Sequence, residues 1–552
     1  MEQKTLPFSR SEKVCLTVIL LLAVLSRTVL LDKVPGGLHQ DEAMAGYNAL
    51  TLLRSGRDSF GNPWPVYFTA WGSGMNVLES LLQIPCLALL GVNELAVRLP
   101  IAIFSLLSLL ALFDLVRRCS DNRFALFILF LASITPWQVM MSRWALESNL
   151  APLFILFGVY FFVKGLDHQG CFILSALCYG LSLYAYATVW PVVPLILLMQ
   201  ILYAVRLRKI CFSGWTASAV ILLALLALPL FLFLLVNNEI LEEIRLPFIT
   251  IPRMVSYRGN ELLSDSIFTN LNNLIHVLTI GAAEPWHALN GYGLYYYISL
   301  PFILFGFCIC LKLSWKALKT RQFTLDFFML TLIIAGLIQG LLIRVDIKRV
   351  NIIHFAMIFC EGRALWFLIQ KFRFRILVPT VFVYFLLFAS FEYSYFGPFR
   401  AQVGNLFQEG CGEALTFVKK NLANYNRVYL DLYWSPIGLP YSKAFFYLEE
   451  DVNTLTETVV YNNAPDPFLE VASFDRYVLD FQYTDSPDLS AAYLLKTEAD
   501  GSPLVRQLEE NGYIHNTWGI WKVYYLPETG SAVCSGSISG SSECNPLKSS
   551  SP

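Results

Sequence analysis

The sequence predicts a polytopic α-helical membrane protein with a small extracytoplasmic α/β domain at its C-terminus. The chain has 552 residues, of which 56% are hydrophobic and only 15% are charged, whereas soluble domains carry about 25% charged residues. Apolar runs of the roughly 20 residues that cross a bilayer recur up to about residue 396, and the composition then changes. This composition rules out a disordered chain and argues against a wholly soluble protein, whose surface would need more charge.

Eleven segments have the length and composition of membrane spans. They cover residues 14–31, 95–116, 124–141, 150–166, 171–187, 188–205, 212–236, 294–311, 323–342, 350–370 and 376–396. The first segment is not a cleavable signal peptide, because it lacks a small-residue cleavage site and an acidic, aromatic loop follows it. We therefore expect about 11 transmembrane helices.

Basic residues indicate the orientation of these spans, because Lys and Arg accumulate in cytoplasmic loops. The N-terminus and every second connection are basic: Lys4, Arg10 and Lys13; Arg117, Arg118 and Arg123; Lys164; Arg206, Arg208 and Lys209; Lys312, Lys316, Lys319 and Arg321; and Lys371, Arg373 and Arg375. The N-terminus is thus predicted to be cytoplasmic and the C-terminal domain to lie outside. The net charge of −1 gives no indication of a nucleic-acid partner.

The chain is predicted to divide into three parts. Residues 1–400 form the membrane domain, with long outer loops at about 32–94 and 237–292. Residues 401–529 form the α/β domain, with a helix at 413–421 and strands at 427–433, 458–461, 477–483 and 520–526. Residues 530–552 are rich in Ser and Gly and are predicted to be disordered. Within the first loop, residues 76–90 are expected to lie on the membrane surface.

The first outer loop contains two adjacent carboxylates, Asp41 and Glu42, preceded by His39. These carboxylates have two interpretations. They either occupy the first turn of a helix, where the helix dipole stabilises them, or provide a catalytic base at the membrane surface.

A second acidic position, Glu147, follows the third span and lies four residues after Arg143. Charges near lipid are costly and tend to be functional or paired. An ion pair of Arg143 and Glu147 at helical spacing is the alternative to a catalytic role, and both interpretations can hold together.

A basic cluster in a short outer loop departs from the charge rule. Arg344, Lys348 and Arg349 precede Asn351 and His354, and on a helix Arg344, Lys348 and Asn351 would share a face. Clustered cations beside a membrane suit phosphate binding, while snorkelling to the lipid headgroups is the alternative.

Two further signals are weak. Tyr184 and Tyr186 belong to an aromatic hairpin, which is also typical of the aromatic belt at a membrane surface. The second outer loop contains His276, Glu284 and His287. A divalent metal could bind such residues, but their spacing is not that of a metal site, so we predict no firm metal or cofactor.

These residues together resemble the GT-C glycosyltransferases. The resemblance consists of the carboxylate pair after the first span, the Arg-x-x-x-acid stretch after the third, the Tyr-x-Tyr turn and the late basic loop. It is most similar to the protein O-mannosyltransferase and aminoarabinose transferase group, covers about residues 1–400 and is strongest over residues 36–165. The C-terminal domain does not resemble the sugar-binding insert of the mannosyltransferases.

The resemblance implies an inverting sugar transfer from a polyprenyl-phosphate donor to an acceptor hydroxyl on the outer face. Asp41 matches the catalytic carboxylate, Glu42 its companion and Glu147 the second acidic position. Arg344, Lys348 and Arg349 match the cations that contact the donor phosphate. His39, Arg143, Tyr184, Tyr186, Asn351 and His354 are further candidates for substrate binding. The resemblance leaves the acceptor open among glycans, lipids and proteins, and the location it implies is a bacterial plasma membrane.

Two other functions remain open. A transporter or flippase of lipid-linked saccharides would show charges in the middle of spans and inverted repeats, whereas few mid-span charges and no clear repeat are present. A non-catalytic membrane scaffold would leave the combination of Asp41, Glu147 and Arg344 without explanation.

Overall fold

The computed structural model describes residues 7–70, 74–255, 266–281, 286–433, 441–464, 466, 468–484 and 486–527. The predicted disordered tail at 530–552 and the candidate metal ligand Glu284 lie outside these residues. The described chain is mostly helical up to residue 421 and then forms a mixed α/β structure.

The membrane part and its loops contain helices α1 to α16. Their bounds are α1 (Arg10–Thr28), α2 (Gln40–Ser55), α3 (Leu78–Leu90), α4 (Glu94–Cys119), α5 (Asn122–Ile134), α6 (Pro136–Met141), α7 (Glu147–Gly165), α8 (Cys171–Leu183), α9 (Val192–Arg206), α10 (Gly214–Asn237), α11 (Ile267–Thr279), α12 (Ser299–Thr320), α13 (Leu325–Leu342), α14 (His354–Phe372), α15 (Phe374–Ser394) and α16 (Arg400–Leu406).

Each of the eleven predicted spans falls on one or two of these helices. In the described part of the chain, eight helices are both long and apolar enough to cross a membrane, so the chain is an integral membrane protein. The other three predicted spans, 14–31, 124–141 and 171–187, correspond to helices that do not meet both criteria. Helix α1 carries charges at both ends, and α8 ends at Leu183. The span at 124–141 is divided between α5 and α6, because Thr135 before Pro136 is extended.

Close helix packing positions the outer loops. Helix α7 packs against α8, and α12 packs against α14. A Cβ atom on Gly306 of α12 would lie 1.7 Å from the carbonyl oxygen of Cys360 on α14. Only glycine permits this approach, as is typical of packed membrane helices.

The two long loops have structure of their own. The first contains α2 and α3, so the segment predicted to lie on the membrane surface is a helix of 13 residues, too short to span. The second contains the hairpin β1 (Ile244–Leu246) and β2 (Ile249–Ile251), followed by α11. The backbone N–H of Val66 donates to the carbonyl of Thr250 at 2.9 Å, and this bond joins the two loops.

The C-terminal α/β region (residues 407–525, apart from 434–440, 465, 467 and 485) is built on one sheet. Its strands are β3 (Val428–Leu430), β4 (Val460–Tyr461), β5 (Val471–Phe474), β6 (Tyr477–Val478), β7 (Ala492–Lys496), β8 (Ile514–Trp518) and β9 (Trp521–Tyr525). Its helices are α17 (Cys411–Asn421), α18 (Tyr441–Leu448), α19 (Val452–Thr458) and α20 (Pro503–Glu510). The strand order is β4-β5-β6-β3-β7-β9-β8.

The middle of this sheet is parallel, since β3 pairs in parallel with both β6 and β7. The remaining pairs are antiparallel. The helix predicted at 413–421 corresponds to α17, and the four predicted strands correspond to shorter strands β3, β4, β6 and β9. Strands β5, β7 and β8 were not predicted. All five residues of β7 are buried, so it lacks the alternation of a half-buried strand.

The C-terminal α/β region contacts the first outer loop. Helix α18 packs along α2, and the Ser442 hydroxyl donates to the carbonyl of Gln40 at 3.0 Å. The Tyr447 hydroxyl donates to the Glu94 carboxylate at 2.6 Å. The start of α2 therefore lies between the membrane helices and the C-terminal α/β region.

Candidate active site

Asp41 lies in the first turn of α2 with its side chain 22% exposed. The helix begins there because His39 caps it: His39 Nδ1 accepts from the Asp41 backbone N–H at 3.2 Å. The Asp41 carboxylate lies 3.5 Å from the same imidazole nitrogen. A carboxylate at this end of a helix is favoured by the helix dipole, so the structural interpretation applies to Asp41, and its role as a catalytic base stays a prediction.

His39 is a buried, neutral group. Its ring packs against Trp144, Trp286 and Phe407, with ring centroids 5.5, 6.2 and 5.2 Å away. Burial, together with the charges of Lys348 and Lys443, lowers the pKa of His39 to about 3. At neutral pH its Nδ1 is therefore an acceptor, which fits its bond to the helix N-terminus.

Glu42 has a different environment from its neighbour. Both of its carboxylate oxygens accept from Arg98, at 2.9 and 3.0 Å, and both side chains are fully buried. Glu42 Oε1 also accepts from the backbone N–H of Ala145 at 3.0 Å. Arg98 in turn donates to the carbonyl of Pro35 at 2.7 Å. Glu42 thus holds the loop, α2 and the segment before Glu147 together.

Glu147 is the first residue of α7, and its carboxylate accepts from the backbone N–H of Asn76. Arg143 precedes this helix, so the helical spacing that would pair it with Glu147 is not present. The Arg143 guanidinium instead donates to the carbonyls of Ser26, Val29, Leu30 and Val34 at 2.8–3.0 Å. Arg143 therefore supports the α1–α2 loop.

The basic loop forms a 3₁₀-helix over Ile347–Ile353, and Arg344 lies before it. The expected shared face of Arg344, Lys348 and Asn351 is therefore wrong, because an α-helix does not form here. Arg344 is exposed, whereas Lys348 and Arg349 are half-buried. Lys348 lies within electrostatic range of both His39 and His287. Asp346 lies 3.9 Å from His287 Nδ1, and the rings of His287 and His39 both pack against Trp144, so the basic loop lies near the loop of Asp41.

Asn351 joins the basic loop to Glu147's helix. Its amide donates to Asn149 Oδ1 at 3.2 Å and its oxygen accepts from Trp137 Nε1 at 3.1 Å. The buried His354 bonds to the Tyr295 hydroxyl at 2.5 Å. These contacts give Asn351 and His354 packing roles beside the site.

The aromatic hairpin is a short 3₁₀ turn, Ala187–Val189, between α8 and α9. The Tyr184 hydroxyl donates to the carbonyl of Leu226 at 2.8 Å, and Tyr186 is half-buried. None of the contacts described for these tyrosines joins them to Asp41.

His287, which the sequence offered only as a weak metal candidate, packs against Trp144 with ring centroids 5.3 Å apart, and its Nδ1 lies 3.9 Å from the Asp346 carboxylate. Burial lowers the pKa of His287, and Asp41 is within its electrostatic range. Arg98 and Asn76 were not predicted as site residues, because no local pattern links Arg98 to Glu42 or Asn76 to Glu147.

Buried polar atoms without hydrogen-bond partners accompany these residues. Within the described chain they include Trp144 Nε1, His287 Nε2, Ser148 Oγ and both side-chain polar atoms of Asn76. Such atoms are costly unless a partner satisfies them. A ligand with many hydroxyl groups would supply both donors and acceptors.

Among the residues that the structure describes, no three His, Cys, Asp or Glu side chains come close enough to hold a metal ion. His276 is exposed on α11, away from the packed ring of His287.

One family profile and several solved structures are similar to this chain. A family profile described as dolichyl-phosphate-mannose-protein mannosyltransferase matches residues 79–242. No curated protein sequence matches significantly. A crystal structure of ArnT from Cupriavidus metallidurans bound to undecaprenyl phosphate superimposes with a TM-score of 0.55 at 13% identity, covering 93% of this chain and 97% of that one. The apo state of ArnT gives 0.53 at 14% identity over the same shares.

The archaeal oligosaccharyltransferase AglB from Archaeoglobus fulgidus, in complex with an inhibitory peptide and a dolichol-phosphate, also aligns. Its TM-score is 0.47 at 12% identity, covering 95% of this chain and 75% of that one.

The chain is a membrane protein with the GT-C glycosyltransferase fold. Its resemblance to the group that contains protein O-mannosyltransferases and ArnT is confirmed by the profile and by the superposition over nearly the whole of both chains.

Proposed function

We propose that this protein is an inverting glycosyltransferase that moves a sugar from a polyprenyl-phosphate donor to an acceptor hydroxyl at the outer face of the membrane. The proposal goes beyond the shared fold to a donor, a stereochemical course and a side of the membrane. A bacterial plasma membrane is the proposed location.

One observation carries the proposal: the loop of Asp41 and the basic loop both approach the packed rings of His39 and His287. Asp41 lies at the positive end of a helix with its carboxylate 3.5 Å from His39 Nδ1, and Asp346 at the start of the basic loop lies 3.9 Å from His287 Nδ1. Lys348, two residues after Asp346, acts electrostatically on both imidazoles. A carboxylate base and a phosphate-binding cation are the two groups that a direct displacement needs on either side of the sugar.

In this mechanism Asp41 accepts the proton of the acceptor hydroxyl as its oxygen attacks the anomeric carbon. The bond between that carbon and the phosphate oxygen breaks, and the electron pair leaves with the polyprenyl phosphate. Lys348, with Arg344 and Arg349, stabilises the negative charge that develops there. A single displacement inverts the anomeric configuration.

Two acids have supporting parts in the proposal. Glu42 is a positioning residue, because Arg98 and the Ala145 amide occupy its oxygens. Glu147 and Asn76 contribute to binding of the sugar or acceptor hydroxyls, a part favoured by the unpartnered amide of Asn76.

The donor class is supported by the ArnT structure with undecaprenyl phosphate and by the name of the matching family. The outer location is supported by the alternating basic loops, which predict that α2 and the basic loop lie on the side opposite the positive connections.

Replacing Asp41 with Asn tests the proposal directly. We expect Asp41→Asn to lower transfer at least 100-fold, since general-base catalysis contributes about 10²–10⁴-fold. Purified protein is incubated with labelled polyprenyl-phosphate sugars and acceptors, and the released polyprenyl phosphate is measured. Asp32→Asn is the matched control, because Asp32 is an exposed acid of the same loop and its replacement should leave the rate within twofold.

Near-normal turnover of Asp41→Asn would overturn the assignment of the base. A wild-type protein that releases no polyprenyl phosphate from any donor, but moves lipid-linked saccharide across vesicles, would instead establish the transporter alternative.

A further inference from the structure

A cleft opens in the C-terminal α/β region, outside the membrane helices. Its volume is about 460 Å³, within the range of small-molecule sites, roughly 300–1,000 Å³. It is lined by Asp431, Tyr433, Asn462, Glu470, Leu479, Asp480, Phe481 and Tyr483. None of these residues belongs to the candidate active site.

The lining residues lie at one end of the strands, which is the carboxyl end of β3 and β6. Asp431 and Tyr433 follow β3, and Asp480 and Phe481 follow β6, which is parallel to β3. Asn462 follows β4, and Glu470 precedes the antiparallel β5, so both lie at this same end. After β3 the chain forms β4, β5 and β6, which all lie to one side of β3 in the strand order. It then forms β7, which pairs with the other side of β3. Ligands of open α/β sheets bind at the carboxyl ends of strands beside such a crossing.

Around Asp431, the polar side chains of the cleft already bond to one another. The Tyr483 hydroxyl donates to the Asp431 carboxylate. Lys496, which is buried, lies 3.5 Å from the other oxygen of Asp431 and donates to the carbonyl of Tyr433 at 3.0 Å. Asp431 is therefore neutralised and held in place.

The outer part of the cleft is polar and available. The side chains of Asn462, Glu470 and Asp480 are exposed and make no hydrogen bond or ion pair within the described chain. Tyr483 is 42% exposed, and its ring stands 5.9 Å from Phe481. The cleft thus combines free carboxylate and amide groups with an aromatic wall.

This combination excludes several ligand classes. The carboxylates of Glu470 and Asp480 repel phosphate and other anions. A metal ion does not fit, since no cluster of three ligating side chains exists among the described residues. The Lys496 ammonium is paired with Asp431, so it does not exclude a cation, and a basic peptide is the competing ligand. The exposed amide of Asn462 and the ring of Tyr483 favour instead a neutral ligand that presents hydroxyl groups to the polar side chains and an apolar face to the ring.

We infer that this cleft binds a short, uncharged oligosaccharide. Its carboxylate and amide side chains accept and donate hydrogen bonds to the sugar hydroxyls, and Tyr483 packs against the C–H face of a sugar ring.

A series of contacts connects the cleft to the candidate active site. Leu432, between two lining residues, accepts from Gln408 Nε2 at 3.2 Å. Lys443 donates to Gln408 Oε1 and to the carbonyl of Phe407, both at 2.8 Å, and the Phe407 ring packs on His39. The bound oligosaccharide is therefore assigned as part of a glycan acceptor, an assignment that rests on the proposed function.

Binding is measured separately from transfer. The full-length protein, purified in a detergent without a sugar headgroup, is applied to an array of oligosaccharides containing hexose, N-acetylhexosamine and pentose units, and hits are titrated by calorimetry. We expect at least one uncharged oligosaccharide to bind, and Asp480→Asn and Tyr483→Ala each to weaken it at least tenfold.

Asp475→Asn is the matched control, because Asp475 is an exposed acid at the opposite end of the same strands, between β5 and β6. It should bind as the wild type does. Melting temperatures show that each variant is folded. No binding to the array, equal binding by all variants, or binding of a triarginine peptide in place of the glycans would overturn the inference.

Asp41→Asn separates this inference from the proposed function. If Asp41→Asn and the wild type bind the oligosaccharide equally but neither transfers sugar, the proposed function fails while the cleft stands. If transfer proceeds and the cleft variants leave both binding and the acceptor KM unchanged, the inference alone fails.

Discussion

Glu42 and Arg98 form a fully buried ion pair beside the candidate base. Removing one partner of such a pair leaves the other charge buried and uncompensated, which costs about 3–5 kcal/mol. We expect Glu42→Gln to lower the melting temperature strongly and to reduce transfer as a consequence. Thermal unfolding in detergent measures the first effect.

An exposed ion pair provides the comparison. Glu243 pairs with Arg245 at 3.0 Å, with the arginine side chain 67% exposed, and such pairs contribute about 0–1 kcal/mol. Glu243→Gln should therefore melt as the wild type does. A Glu42→Gln protein of normal stability but without activity would make Glu42 a catalytic group instead of a positioning residue.

His39 makes the stability of the fold sensitive to acid. Its pKa is about 3 in the folded protein and about 6.5 in an unfolded chain. Between these values the unfolded state binds more protons, so stability falls as the pH falls below about 6.5. One pH unit corresponds to about 1.4 kcal/mol for this single group.

His39→Asn removes the titration but keeps a side chain that accepts the helix N–H. Melting temperatures between pH 7 and pH 4 should therefore fall less steeply in this variant than in the wild type. Parallel slopes would show that His39 does not bear the acid sensitivity.

At the residue scale, the sequence identifies candidate groups but not their partners. Asp41, Glu147 and Lys348 stand out by charge and position. Glu42 and Arg98 are 56 residues apart in the sequence. The ring of His39 packs against that of Phe407, which lies at the start of the C-terminal α/β region. No local pattern contains such pairs. The different roles of Asp41 and Glu42 therefore required the structure.

Gly46 sets the distance between α2 and α18. A Cβ atom there would lie 2.8 Å from the ring of the buried Phe446 and 3.2 Å from Val97. Overpacking of this kind costs typically about 1–3 kcal/mol. We expect Gly46→Ala to lower the melting temperature and to reduce transfer several-fold, as measured on purified protein.

Gly214 is the matched control, because it lies at the start of α10, where an added Cβ atom would have none of the described atoms within 4 Å. Gly214→Ala should be neutral or slightly stabilising. If both variants behave alike, contact between α2 and α18 does not limit stability or activity.

At the element scale, the sequence predicts apolar helices well, since span length and composition are local properties. Prediction fails where one sequence pattern is compatible with two different secondary structures. The basic loop forms a 3₁₀-helix because Asp346 caps it through the backbone N–H of Lys348, a bond that charge spacing does not indicate. Strand β7 was missed because a wholly buried strand has no alternation.

The whole molecule is predicted to place its C-terminal α/β region outside the cell and its positive connections inside. A membrane-impermeant maleimide should label Glu510→Cys on intact cells, because Glu510 is exposed on α20. Lys316→Cys, exposed near the basic end of α12, should be labelled only after lysis. Each variant is compared with the unsubstituted chain, and the reverse pattern would invert the topology.

The fold class could be predicted at this scale because composition and charge are summed over many residues. The packing of the C-terminal α/β region on α2 could not, because it depends on complementary surfaces formed by segments about 400 residues apart in the chain.

That packing has a consequence for the order of events in synthesis. Helix α2 is synthesised early, whereas Ser442 and Phe446, which contact it, are synthesised only after all the membrane helices. The candidate base is therefore supported only once the last part of the chain has folded. If the proposed function holds, a prematurely ended chain keeps its membrane helices but lacks this support for the candidate base, and it does not transfer sugar.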